Sequence, residues 1–204
     1  MANVYIFDDI LTKGIRSGQV PGRTSESRNW YRKQARNFKQ AWYHSTPTKL
    51  MATESKTTSI SGLEPGRMFM FFYDPKHKKT LPYYDTFPLI FPFSTTENGF
   101  YGLNLHYLQP QLRAKLMDGL YDLTNNSKYD QTTKLNLSYK LLKGAAKTRW
   151  FKPCVKQYLN SHVKSRFLMI DSVEWDIALF LPVERFEKAS KNKVWADSRK
   201  IING

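Results

Sequence analysis

Met68-Phe69-Met70-Phe71-Phe72-Tyr73 is an unbroken apolar and aromatic run, closed by Asp74-Pro75. A run this short, ended by a turn dipeptide, reads as a strand. After the basic loop Lys76-His77-Lys78-Lys79 come Leu81-Pro82-Tyr83-Tyr84-Asp85 and Phe87-Pro88-Leu89-Ile90-Phe91-Pro92-Phe93. Each proline there removes a ladder donor, so the reading is extended edge or irregular structure. Glu97-Asn98-Gly99 is a turn, and residues 100–108 read as the next strand.

Downstream the period changes. Pro110 opens a predicted helix over 110–123, with Leu112, Leu116, Leu120 and Leu123 on one face. Asn125-Asn126-Ser127 breaks it. A second helix is predicted over 133–147, carrying Leu135, Leu142 and Ala146. A third starts at Pro153, with Val155, Leu159 and Val163 spaced for one face. Strands are predicted at 167–170 and 175–181, then a helix-like segment from Pro182. From Ser190 the chain is basic and polar, with Trp195 as its large anchor. This alternation gives an α+β class: a small, mostly antiparallel sheet with helices inserted between strands.

Upstream, residues 1–24 contain Lys13, Gly14, Arg16, Gly18, Pro21, Gly22 and Arg23, read as an extended arm. A helix is expected over 25–43, capped by Thr24, with Glu26 in its first turn. Tyr31, Ala35, Phe38 and Trp42 share one face; Arg28, Arg32 and Arg36 stripe the next, continued by Lys39. Residues 44–66 read as a loop. The expected organisation is therefore an arm at 1–24, a basic helix and loop at 25–66, and a core domain at 67–204.

The composition bounds what this chain does. With 204 residues, 41% of them hydrophobic, it has material for a packed core. Thirteen Phe, twelve Tyr and five Trp exclude low-complexity disorder as a description of the whole. The single cysteine, Cys154, excludes an intrachain disulfide or a Cys-based zinc cluster and points to a reducing compartment. The first residues lack the pattern of a signal peptide, and no apolar run approaches the length of a membrane span. Lys and Arg outnumber Asp and Glu by 32 to 17, a formal charge of +15, which calls for an anionic partner: nucleic acid, a membrane surface or an acidic protein.

Catalytic signatures are missing. There is no G-x-x-x-x-G-K-[ST] and no G-x-G-x-x-G. His44, His77, His106 and His162 are isolated from one another, and Cys154 reads as a small buried residue rather than a nucleophile. Among the carboxylates (Asp8-Asp9, Asp74, Asp85, Glu174-x-Asp176, Glu184-x-x-Glu187), Glu174 and Asp176 have the best spacing for a divalent cation, since i and i+2 share one face of a strand. The apolar odd positions Trp175, Ile177, Leu179 and Leu181 would turn both acids to solvent. The expectation is a protein that is not an enzyme and holds no metal or cofactor.

The cations are more informative. Residues 131–170 carry nine Lys or Arg and no Asp or Glu. Lys140, Lys143 and Lys147 fall on one helical face, and Arg149-Trp150-Phe151-Lys152 interleaves cations with aromatics, as nucleic-acid surfaces do. Lys152 and Lys156 would lie one helical turn apart. The Arg28, Arg32 and Arg36 stripe is a second candidate anion-binding surface. Like charges without compensation repel, so an acid-free window of this length calls for a partner. For protein contacts the candidates are Arg16 and Arg23 in the arm, Tyr83 and Tyr84 between Pro82 and Asp85, and Trp195 in the tail.

Two segments carry a resemblance: Tyr-Asp-Pro-Lys-His-Lys-Lys-Thr-Leu-Pro-Tyr-Tyr-Asp-Thr-Phe-Pro-Leu-Ile at 73–90 and Gly-Phe-Tyr-Gly-Leu-Asn-Leu-His-Tyr-Leu at 99–108. They resemble small virion and morphogenesis proteins of T-even-like contractile-tailed phages. The resemblance implies a structural component of the tail, baseplate or neck, assembled in the host cytoplasm, located in the virion and bound to other phage structural proteins. It leaves open a second role, binding or protecting the ends of packaged DNA. It supplies no catalytic residues.

Overall fold

The structure, a computed structural model, describes residues 5–21, 24–38, 46–54 and 56–204. Seven α-helices among these residues surround a six-stranded sheet and a two-stranded one, so the class is α+β. The strands are β1 (Thr57–Thr58), β2 (Met68–Met70), β3 (Tyr84–Asp85), β4 (Leu89–Thr96), β5 (Gly99–Asn104), β6 (Val155–Leu159), β7 (Phe167–Ile170) and β8 (Phe186–Glu187). The large sheet runs β1-β7-β2-β4-β5-β6 with every pair antiparallel, and β3 pairs with β8.

Strand periodicity explains why the opening run has no polar alternation. Met68 and Met70 face the main core together with Leu89, Phe91, Leu168 and Ile170. Phe69 and Phe71 face the other way, into an aromatic cluster with Tyr73, Ile90, Phe100, Tyr158 and Phe167. Phe71 sits 4.6 Å from Phe167 and 5.3 Å from Tyr158, centroid to centroid. Both faces of β2 are therefore dry, and a strand dry on both faces must be apolar throughout.

The helices are α1 (Ile6–Arg16), α2 (Ser25–Arg36), α3 (Thr46–Thr53), α4 (Pro110–Thr124), α5 (Gln131–Ala146), α6 (Trp175–Ala178) and α7 (Lys191–Asn203). Five differ from the sequence reading. Residues 6–16 are helical where an extended arm is expected: Ile6, Phe7, Ile10 and Gly14 are buried, and Asp8 and Asp9 occupy the favourable first turn. Gly14 is where α1 meets α2, for a Cβ there would lie 2.1 Å from the Tyr31 hydroxyl. Helix α2 starts as expected at the Thr24 cap, whose hydroxyl accepts the Ser27 N–H, but it ends at Arg36 with Asn37 as its C-cap, short of the expected 43; Lys39, Trp42, Tyr43 and His44 lie outside the described residues. Helix α3 occupies part of the expected loop, burying Leu50. Helix α6 replaces the strand read at 175–181, because the turn Ser172–Glu174 carries an Asp171/Glu174 capping box that starts a helix. Helix α7 replaces a polar tail, with Val194, Ser198 and Ile202 buried on one face.

Three further corrections concern strands. Residues 155–159 pair with β5 and form an edge strand instead of the helix expected from Pro153. Residue 182 opens no helix; the chain pairs briefly at β8. The Pro-rich run forms an internal strand, β4, and not an edge. Pro92 is tolerated because β2 pairs only as far as Ile90, and the β4/β5 register shifts between Pro92 and Ser94.

A buried polar network ties the helices to the sheet. Asp85 accepts hydrogen bonds from Asn104 Nδ2 at 3.0 Å and Phe87 N at 3.0 Å, and it pairs with His106 Nδ1 at 2.8 Å. Burial penalises its charge, yet His106 and these donors outweigh that penalty and hold the carboxyl below its ordinary value. Arg113, 1% exposed, bonds the carbonyls of Leu108, Leu179 and His106 and the carboxylate of Glu184. No helix among the described residues is long and apolar enough to cross a membrane.

Candidate nucleic-acid interface

Helix α5 begins at Asp130, whose carboxylate accepts the Thr133 N–H. Its buried side is Ser138 and Leu142, and it packs against α4 and β4. That fixes the opposite side as solvent. Lys140, Lys143 and Lys147 are all exposed there, one above another along the helix. Lys143 and the capping Lys147 also sit at the negative end of the helix dipole, which favours cations.

The chain then makes a tight turn rather than a loose loop. Thr148 Oγ1 donates to the Ala145 carbonyl at 2.8 Å, Phe151 N to Thr148 O at 3.2 Å, and Cys154 N to Phe151 O at 2.9 Å. Phe151 packs on the core while Pro153 and Cys154 are buried, so the turn is anchored from inside. Burial pushes the Cys154 thiol far up, which fits an inert packing residue. Arg149, Trp150 and Lys152 point outward, with the Arg149 guanidinium 4.9 Å from the Trp150 ring centroid. Helix and turn thus give one continuous basic strip: Lys140, Lys143, Lys147, Arg149 and Lys152. None of the five forms an ion pair among the described residues.

Lys156 does not belong to the strip. It lies on β6 with its ammonium 4.0 Å above the Tyr107 ring, and burial holds its pKa below the ordinary lysine value. The arginine stripe of α2 is likewise turned inward. Arg28 reaches Asp118 at 2.7 Å and lies over Tyr121, and Arg32 reaches Asp118 at 2.9 Å and Asp176 at 2.6 Å. Both side chains are buried. Arg36 is exposed and covers Phe180 at 4.5 Å. The stripe clamps α2 onto α4 and α6.

The residues read as protein contacts scatter. Arg16 is exposed at the end of α1, and Arg23 lies outside the described residues. Tyr83 is half-buried against Tyr107, and burial pushes its phenol up. Tyr84 is in β3 opposite Glu187. Trp195 fastens α7 to the core: its indole donates to the His106 carbonyl at 2.9 Å, and Arg113 lies over the ring. Tyr83 also lies near Asp197 and Lys193 of α7, the helix that carries Trp195.

The acidic candidates separate as well. Asp176 faces Arg32, whereas Glu174 lines a hollow of about 230 Å³ with Asp8, Glu54 and Lys56. Among the described residues no group of three His, Cys, Asp or Glu side chains is placed to hold a metal ion. Sequence reasoning missed a second hollow, about 380 Å³, between Arg67, the first turns of α5 with Lys134, and residues 170–173. No motif marks it, because its walls come from four separate stretches of chain, Thr124 at the end of α4 included.

No curated protein and no solved structure matches this chain. One family does: the one described as Phage T4 terminal DNA protecting protein, over residues 23–202. The match bears out a T4-like phage protein and overturns the tail, baseplate or neck assignment, since the family is defined by a DNA-protecting member and not by a tail component. It covers every element from α2 to α6 and nearly all of α7, so this chain belongs to the family of the phage T4 terminal DNA protecting protein.

Proposed function

We propose that this chain binds the ends of phage DNA and shields them from nucleases by occupying them, with the strip on α5 and the 147–152 turn as its DNA-facing surface. The observation that carries the reading is the strip itself: five outward cations in a forty-residue stretch without one acid. Family membership supplies the polymer. Each phosphate neutralised by such a cation releases condensed counterions, which supplies affinity without reading sequence. A terminus-binding protein needs this, because the ends it meets are defined by being ends.

The reading is of a stoichiometric binder rather than an enzyme, located at packaged DNA ends in the virion. Asp176, half of the best-spaced acidic pair, is committed to Arg32. Protection then comes from covering the terminal phosphodiesters that an exonuclease must reach.

The test is an anisotropy titration of a blunt duplex across a salt series, paired with exonuclease digestion. Affinity should fall by ~0.9 log units per log unit of salt for each phosphate contacted. Lys140→Glu/Lys143→Glu/Lys147→Glu should flatten that slope and abolish protection while leaving the thermal melt in place. Tight, salt-sensitive binding by the triple variant would move the interface elsewhere, and no binding by the wild type at low salt would end the proposal.

A further inference from the structure

Trp150 differs from the other tryptophans of the described residues. Trp175 is buried, and Trp30 and Trp195 are half-buried in contacts within the fold, whereas Trp150 is 46% exposed. A single exposed aromatic ring is ordinary on a protein surface. This one sits within the basic strip, and the turn that carries it is locked from both sides. Phe151 and Pro153 point inward, and four short-range backbone hydrogen bonds and one from the Thr148 hydroxyl close the turn around it. The ring is therefore held out from the surface at little further entropy cost. Arg149 already lies against it, and Lys147 and Lys152 flank it in sequence.

A duplex terminus differs from the interior in its 5′- and 3′-end groups and in its last base pair. Internal base pairs are stacked on both sides, and only the last pair shows an open π-face to the solvent. Contacts to phosphodiester oxygens cannot tell an end from the middle, because the diester backbone is the same in both. A protein can select ends through that open face, and an indole between cations is suited to it. Aromatic rings stack on bases without regard to sequence.

We propose that Trp150 stacks on the terminal base pair of a DNA duplex while Lys147, Arg149 and Lys152 hold the flanking phosphates, which makes Trp150 the residue that distinguishes an end from continuous duplex. This rests on the DNA-end reading above and adds the source of end selectivity to it. Removing the ring should cost about ten- to a hundredfold in affinity for ends, the range seen when base-stacking aromatics are replaced by alanine.

The experiment is a competition titration with the full chain. A labelled blunt duplex is displaced either by unlabelled linear duplex or by a closed circular duplex of the same sequence and equal base-pair mass. The wild type should be displaced far better by the linear competitor. Trp150→Ala should lose that preference by about ten- to a hundredfold while keeping the wild-type affinity for the circle and the wild-type melting temperature, and Trp150→Phe should retain part of the preference. An undiminished preference in Trp150→Ala overturns the stacking role alone and leaves the DNA-end function standing. Equal losses for circle and line would also overturn it, by making the ring a general contact. A wild type that binds neither competitor overturns the functional reading and this inference with it.

Discussion

Arg32 Nε lies 2.6 Å from Asp176 Oδ1, joining side chains that are 144 positions apart in sequence and both sheltered from solvent. Burial opposes the guanidinium charge, and the facing carboxylates of Asp176 and Asp118 outweigh that opposition, holding Arg32 above its ordinary value. This pair turns what reads as a DNA-binding stripe into the seam between α2 and α6.

Breaking the seam from one side leaves a charge stranded. Arg32→Ala should destabilise the fold by about 3–5 kcal/mol, because Asp176 loses its partner in a dry site. Urea denaturation measures the loss. The double replacement Arg32→Met/Asp176→Leu should recover much of it, since neither charge is then left alone. DNA affinity and its salt slope should stay at wild-type values in the double variant. A near-neutral Arg32→Ala with weakened DNA binding would instead put α2 on the DNA face.

Glu174 makes stability fall as pH rises. Burial is the main cause, with the charges of Asp171 and Glu54 adding to it, and together they push the carboxyl up to about 7 against an ordinary 4.5. Between these values the folded chain keeps a proton that the unfolded chain has lost. The contribution is therefore fully present below about pH 4.5 and is lost as pH rises through about 7. Glu174→Gln keeps an acceptor for the Asp171 N–H, bonded at 3.0 Å, and removes the charge. Its melting temperature should exceed the wild type's at pH 8, and the difference should shrink toward pH 4.5. Parallel melting curves across that range would refute the assignment.

Helix α1 belongs to the core. Gly14→Ala drives a methyl into Tyr31, a side chain 2% exposed, and overpacking of that kind costs about 1–3 kcal/mol. Phe7→Ala should cost about 3–5 kcal/mol by leaving a cavity. Thermal melts of the two variants decide the matter. Wild-type stability in both would restore the picture of an arm that leaves the domain intact when removed.

The readings that held rest on local physics. The apolar run at 68–73, the turn at 97–99 and the leucine spacing of 110–123 each specify their element from neighbouring residues, and the structure has β2, the β4/β5 turn and α4 in those places. The exposed Lys140, Lys143 and Lys147 were legible for the same reason: helical period sets their face, and Leu142 orients it. What failed depended on distant partners. Residues 153–163 have a spacing that suits a helix, but the free edge of β5 supplies hydrogen bonds that make 155–159 a strand. Arg28 and Arg32 share an outward-looking stripe with Arg36, and only the arrival of Asp118 and Asp176 from α4 and α6 turns those two inward. Sequence by itself determined the class, several elements and the basic strip, because periodicity and charge act between near neighbours. The tertiary structure alone decided which cations stay exposed, because a charge stays at the surface or pairs in the interior according to whether folding brings an opposite charge within hydrogen-bonding distance.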